Sequence, residues 1–257
     1  MVTIKSEKEI AIMQAGGKIL AQVLHDLAEA TKPSVTTSEL DQLARELIAK
    51  YPGATPSFLG YTPGGAHGNK FPAALCVSIN DEIIHGLPGE QAVKNGDLVS
   101  LDLGLYYQGY HTDSAVTVAV GQVSQSAQKL LEVTRESLNI GVAEAVSGKT
   151  LGDIGHAIQS YIEEFGFSVI RDFAGHGIGK SIHEPPAVLN FGRPGEGEVL
   201  KTGMVIAIEP MVVAGKATTV QKSDGWTYAT ADGSLAAHFE HTVAVTENGV
   251  TILTSLK

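Results

Sequence analysis

Apolar residues recur at helical spacing in four stretches of the chain, and each stretch begins with a recognisable start signal. Ser6 with Glu9 has the capping-box spacing, and Ile10, Met13, Ile19, Leu20, Val23, Leu24 and Leu27 follow on one stripe, predicting a helix from about 7 to 30 that continues through Gly16-Gly17. A second helix is predicted after Pro33, opened by Thr36 with Glu39, striped by Leu40, Leu43, Leu47 and Ile48, and stopped by Pro52-Gly53. The segment "SQSAQKLLEVTRESLNIGVAEAV" repeats the pattern through Leu130, Leu131, Val133, Leu138 and Ile140. Thr150 with Asp153 then opens a fourth helix ending near Phe165.

Strand-like runs follow each helix pair: 75–79, 98–106 and 110–120 after the first, and 168–173, 204–213 and 241–253 after the second. The echo reaches individual residues, because "AEATKPSVTTSELDQL" near 28–43 resembles "AEAVSGKTLGDIGHAI" near 143–158. One repetition at about half the chain length indicates two similar halves, about 1–122 and 123–257, packed into a single domain rather than a solenoid. Paired helices followed by hairpin-linked strands indicate an α+β layer architecture, an antiparallel-rich sheet covered by helices.

Composition narrows the class. Hydrophobic residues make up 43% and charged residues 18% of the 257, which is globular rather than disordered. A formal charge of −10 argues against nucleic acid or an anionic membrane as partner, since both require a basic face. The single cysteine, Cys76, allows no internal disulfide and fits a reducing compartment. The start "MVTIKSEKEIAIM" lacks the apolar stretch of a signal peptide, and no run approaches the roughly 20 apolar residues of a membrane span. The expectation is a cytoplasmic protein.

The hairpin "VSLDLGLYYQGYHTDSAVTVAV" places Asp102 and Asp113 among apolar neighbours with no Lys or Arg. If Gln108-Gly109 is a two-residue turn, Tyr107 faces Tyr110, Asp102 faces Ala115, and Asp113 is the diagonal neighbour of Asp102 on the same face. Glu209 in "GMVIAIEPMVVAG" and Glu240 in "LAAHFEHTVAV" have similar surroundings. Two like charges at about 4 Å repel by roughly 4 kcal/mol at an effective dielectric of about 20, and a buried unpaired carboxylate costs several kcal/mol more. Two divalent cations would neutralise four such acids.

Histidines refine the donor set. "FAGHGIGKSIHEPP" holds His176 in a glycine-rich turn and His183 seven residues on, and His85 ends the apolar run in "SINDEIIHGLPG". His25, His67, His111, His156, His238 and His241 take the ordinary structural reading, although His241 adjoins Glu240. Oxygen-rich ligation with one or two imidazoles suits manganese, iron(II), cobalt or zinc. A two-metal site of this kind lowers the pKa of a bound water from about 15.7 toward about 7, which points to hydrolysis.

The blocks "SINDEIIHGLPG", "SLDLG" with "YHTDSAVT", "FAGHGIGKSIHEPP", "GMVIAIEPMV" and "FEHTVAV", in this order and spacing, resemble the type I methionine aminopeptidases. The resemblance runs from the first helix to the C-terminus and implies the pita-bread fold, two related halves around a dimetal site. It implies Asp102, Asp113, His176, Glu209 and Glu240 as metal ligands, with Asp102 on one ion, His176 and Glu209 on the other, and Asp113 and Glu240 bridging. It implies Glu209 as general base, with His85 and His183 lining the site and contacting substrate. Tyr61, Cys76 and Trp226 match wall positions of the family's methionine pocket, and Phe58, Phe71 and Ile182 are expected to complete it. The implied substrate is the initiator methionine of nascent polypeptides whose second residue is small, and the family precedent is a monomer open to transient ribosome association.

Between Tyr61 and Cys76 the run "TPGGAHGNKF" is longer than the family pattern, and its glycines predict a mobile flap beside the pocket. No cysteine-rich N-terminal extension and no large type II insertion is evident. The competing readings are a prolidase or aminopeptidase P on the same fold, and a metal-free binding module. The latter would be marked by loss of an acid or of His176, and all five positions are intact.

Overall fold

The computed structural model describes residues 2–62 and 69–256. Four helices stand where the apolar stripes place them: α1 Glu7–Ala30, α2 Thr37–Ile48, α3 Gln125–Glu144 and α4 Leu151–Glu164. Ser6, Thr36 and Thr150 each cap a helix while Glu9, Glu39 and Asp153 reach back to the cap backbone, so all three expected capping boxes form. Helix α1 runs unbroken through Gly16-Gly17 because the pair lets it approach the chain closely: a Cβ on Gly17 would lie 2.2 Å from the Leu253 carbonyl oxygen.

The main sheet runs in the order Ala54–Pro56, Leu98–Tyr107, Tyr110–Ala119, Glu240–Thr246, Val205–Ile208, Gly175–Gly177, Glu184–Val188. Cys76–Ile79 pairs with Leu98–Tyr107, and Gly249–Ile252 with Glu240–Thr246; all these pairings are antiparallel. The expected hairpin is present: Tyr107 pairs with Tyr110, Asp102 with Ala115 and Gly104 with Asp113. Gln108 (φ 48°) and Gly109 (φ 95°) are both left-handed, as a two-residue turn that follows the strand twist requires.

Two runs expected to be continuous are divided. The run 204–213 forms Val205–Ile208 in the main sheet and Met211–Val213 in a smaller sheet with Ala236–His238 and Ser168–Val169, the change falling at Glu209-Pro210, where proline has no N–H for the ladder. The run 241–253 is a hairpin of Glu240–Thr246 and Gly249–Ile252. Only Ser168–Val169 of the expected 168–173 strand is extended in a ladder.

The two largest apolar clusters join the helices to the sheet. One packs α1 and α2 on the first-half strands through Leu20, Leu27, Leu40, Leu75, Leu101 and Leu103; the other packs α3 and α4 on the second-half strands through Leu130, Ile154, Ile158, Ile206 and Val243. The junction between them carries a row of hydroxyl side chains. Ser114 Oγ donates to the Glu240 carbonyl (2.7 Å), Thr117 Oγ1 to the His238 carbonyl (2.7 Å) and Thr242 Oγ1 to the Asp113 carbonyl (2.7 Å). Thr242 and Thr117 also accept from the backbone N–H of Asp113 and His238, so the strands that carry the acids are stitched at those residues.

Candidate active site

Strand register brings the acids together. Cys76 pairs with Asp102, Asp102 with Ala115, and Ala115 with Glu240. On the far side of Glu240 the ladder has the same register before and after the Glu209-Pro210 break, Ile208 opposite His241 and Met211 opposite His238, which sets Glu209 across from Glu240. One cross-strand row therefore holds Cys76, Asp102, Ala115, Glu240 and Glu209, and residues in a row share a face. Asp113 lies two residues from Ala115 on that same face. His176 comes from Gly175–Gly177, which pairs with Val205–Ile208. Asn190 Nδ2 donates to the Glu209 carbonyl at 3.0 Å, holding the backbone where the strand breaks.

The electrostatics of this cluster call for a cation. Asp113 and Glu240 are 3% and 2% exposed. Burial, followed by the charges of their fellow acids, pushes both carboxyls well above the ordinary range, and burial brings Asp102 to about 7. Asp102 Oδ1 and Glu240 Oε1 are buried with no hydrogen-bond partner. His176 supplies the second observation. Its Nδ1 lies 2.9 Å from the Gly177 carbonyl, which can only accept, so the neutral ring is protonated there and Nε2 presents a lone pair. That lone pair faces Asp113 Oδ2 at 3.9 Å and Glu209 Oε1 at 3.8 Å, an arrangement of acceptors that a divalent ion would join. Asp113, His176 and Glu240 each bring a ligand atom within 4.8 Å of the others.

The sequence matches the metallopeptidase family M24 over residues 11–247. The chain belongs to this family, among the methionine aminopeptidases. It is 50% identical over 257 residues, covering all of both chains, to the methionine aminopeptidase of Clostridium perfringens. The crystal structure of the Thermotoga maritima methionine aminopeptidase superposes with a TM-score of 0.94 at 44% identity, covering 99% of this chain and all of that one. The prolidase of Pyrococcus furiosus gives 0.77 at 25% identity, covering 99% of this chain and 66% of that one. The α+β pita-bread fold and the metallo-aminopeptidase activity of the family thus apply to this chain.

Beside the acids of this M24 peptidase lies a cavity of about 400 Å³. All five acidic and histidine ligand candidates line it, as do His85, His183, Tyr61, Cys76, Phe58, Phe71 and Trp226. Phe71 packs edge-on to Trp226 (centroids 5.1 Å apart) and to Phe58 (6.4 Å), forming an aromatic corner. Gly104, opposite Asp113, leaves room for that wall: a Cβ there would lie 2.8 Å from the Phe58 ring. Ile182 is buried in the same apolar cluster as Met13, Phe58, Phe71 and Cys76, the last three of which line the cavity. The expected flap at 62–71 falls largely on 63–68, His67 included, which lie outside the described residues.

His183 Nδ1 meets the Tyr61 hydroxyl at 2.7 Å, and its ring stacks edge-on with His176. His85 is held in a left-handed conformation (φ 58°) and packs against the edge-on pair of Phe173 and Tyr228. Desolvation by the surrounding protein takes both imidazoles down to about 4, even though His183 opens onto the cavity, so both are neutral near pH 7.

Sequence reasoning passed over His238. It is 1% exposed, and its Nε2 lies 3.6 Å from Glu209 Oε2. Alternation along Ala236–His238 could have signalled it, since His238 and Glu240 are two residues apart, but the change of sheet between them hides that relationship.

Proposed function

We propose that the protein removes the initiator methionine from nascent proteins and peptides when the second residue is small, as a type I enzyme. The observation that carries this reading is the cluster of four largely buried acids on one face of the strands, two of them facing the lone pair of His176, beside an aromatic-walled cavity. Two divalent ions, cobalt, manganese, iron(II) or zinc, would suit these donors, and Asp102, Asp113, His176, Glu209 and Glu240 would hold them. When bound, they would acidify a water and polarise the scissile carbonyl.

The side chains supply the remaining steps. Phe58, Phe71, Trp226, Tyr61 and Cys76 form an apolar slot for the flexible thioether, excluding water from it. Glu209 takes a proton from the attacking water and returns it to the departing amine. Neutral His183, oriented by Tyr61, donates to the oxyanion or the peptide, and neutral His85 assists at the leaving amine. We read residues 1–122 and 123–257 as related halves of one catalytic domain, acting as a cytoplasmic monomer in transient contact with the ribosome. Among the described residues no helix is long and apolar enough to cross a membrane.

The deciding experiment strips the protein with chelator, returns each metal stepwise, and follows amino-acid release from Met-Ala-Ser, Met-Lys-Ser and Ala-Pro peptides. Metal-dependent release of methionine from Met-Ala-Ser alone is expected. Equal turnover of both methionyl peptides would overturn the small-residue restriction, and turnover of Ala-Pro alone would favour prolidase chemistry.

A further inference from the structure

Glu209 stands between two imidazoles, one for each carboxylate oxygen: Oε1 is 3.8 Å from His176 Nε2 and Oε2 is 3.6 Å from His238 Nε2. The rings are not equivalent. His176 commits its proton to the Gly177 carbonyl and shows Glu209 a lone pair. His238 is buried, and neither of its ring nitrogens has a hydrogen-bond partner. A neutral imidazole always carries one N–H, and burying that donor unpaired costs about 1–3 kcal/mol. Its backbone cannot drift to relieve this. The His238 N–H donates to Thr117 Oγ1 at 2.8 Å, Thr117 Oγ1 donates back to the His238 carbonyl, and the residue pairs with Met211, two positions from Glu209.

We propose that His238 is a positioning residue for the peptidase reaction: its Nε2–H donates to Glu209 Oε2, closing the 3.6 Å gap and fixing Oε1 toward His176 and the buried acids. Oε2 has two lone pairs, so one remains for the proton of the attacking water. The inference rests on reading Glu209 as ligand and general base. Partners of this kind, one layer outside the ligands, are worth about 10–100-fold in metal affinity or activity.

Two variants test it, His238→Leu without a donor and His238→Gln with one. In His238→Leu, kcat for Met-Ala-Ser is expected to fall about 10–100-fold with KM within about twofold, and zinc affinity of the substrate-free protein, read by chelator competition, to fall about 10-fold. His238→Gln should recover most of both. Unchanged kcat and zinc affinity in His238→Leu, or equal losses in the two variants, would overturn the proposal. Histidine-selective nitrogen NMR of the zinc-loaded wild type reads the tautomer without requiring a variant to fold: a protonated Nε2 on His238 supports the proposal and a protonated Nδ1 overturns it. Glu209→Gln separates the two levels. If it keeps full turnover, the general-base reading fails; if it loses turnover while His238→Leu does not, only the role of His238 fails.

Discussion

Lys5 places its ammonium 2.9 Å from the Glu184 carboxylate, tying the segment before α1 to the strand end that follows His183. Both side chains are largely buried, at 5% and 11% exposure, and Lys5 is further held by its N–H to the Gly203 carbonyl. Lys5→Met leaves a desolvated carboxylate with only its Thr3 and Ser181 hydrogen bonds. The expected cost is about 2–4 kcal/mol, read by urea denaturation, somewhat below that of breaking a fully buried pair because those bonds remain.

The same carboxylate sets an acid limit. Burial alone would raise the Glu184 pKa, but hydrogen bonds from Thr3, Lys5 and the Ser181 N–H, with the Lys5 charge, outweigh it and bring it from 4.5 to about 2. The unfolded chain therefore binds more protons between those values, and the stabilisation present above about 4.5 is lost as pH falls toward 2. Stability plotted against pH should slope less steeply across that window in Glu184→Gln than in wild type.

Asp113→Asn should lower Met-Ala-Ser turnover by more than about 100-fold, beyond the range for residues outside the ligand shell. Its thermal behaviour should be reversed by metal. Stripped of metal at pH 8, the variant lacks one member of a repelling buried cluster and should melt above stripped wild type; added zinc should raise the melting temperature of wild type alone. Because burial brings stripped Asp102 to about 7, wild-type zinc binding at pH 6.5 should release protons, seen as a buffer-dependent calorimetric enthalpy.

Trp226→Ala opens the aromatic corner that Trp226 makes with Phe71. The expected result is a KM for Met-Ala-Ser raised about 10-fold, or about 1.4 kcal/mol, with kcat little changed, the signature of lost ground-state binding. A fall in kcat at constant KM would assign Trp226 to the chemistry instead.

Gly17→Ala reverses the usual helix rule. Alanine in a helix interior normally gains about 1 kcal/mol over glycine, but here the new methyl would press on the Leu253 carbonyl. Net destabilisation of about 1–3 kcal/mol is expected from thermal melting.

The helices and the hairpin were legible because local rules decide them: a capping box, a 3.6-residue stripe and a Gln-Gly turn act within a few residues. The acids of the site could be named from their apolar surroundings, and the turn aligned Asp102 with Asp113, yet the alignment of Glu240 and Glu209 with that pair was not legible, since it arises from register between Tyr110–Ala119, Glu240–Thr246 and Val205–Ile208. Short strands such as Gly175–Gly177 and Glu184–Val188, the latter holding Pro185-Pro186, carry too little alternation to be read. His238 looked like an ordinary core histidine because its neighbour Glu209 is remote in sequence.

The chain leaves the main sheet at Glu209-Pro210 and re-enters it at Phe239-Glu240, so the proposed base and one of the proposed metal ligands both sit on the seam where one sheet hands over to the other. Any slippage of the small sheet against the large one is felt there first. Under mild denaturant, catalysis should be extinguished while the two largest apolar clusters are still intact, making turnover the most sensitive gauge of how firmly the two sheets are docked.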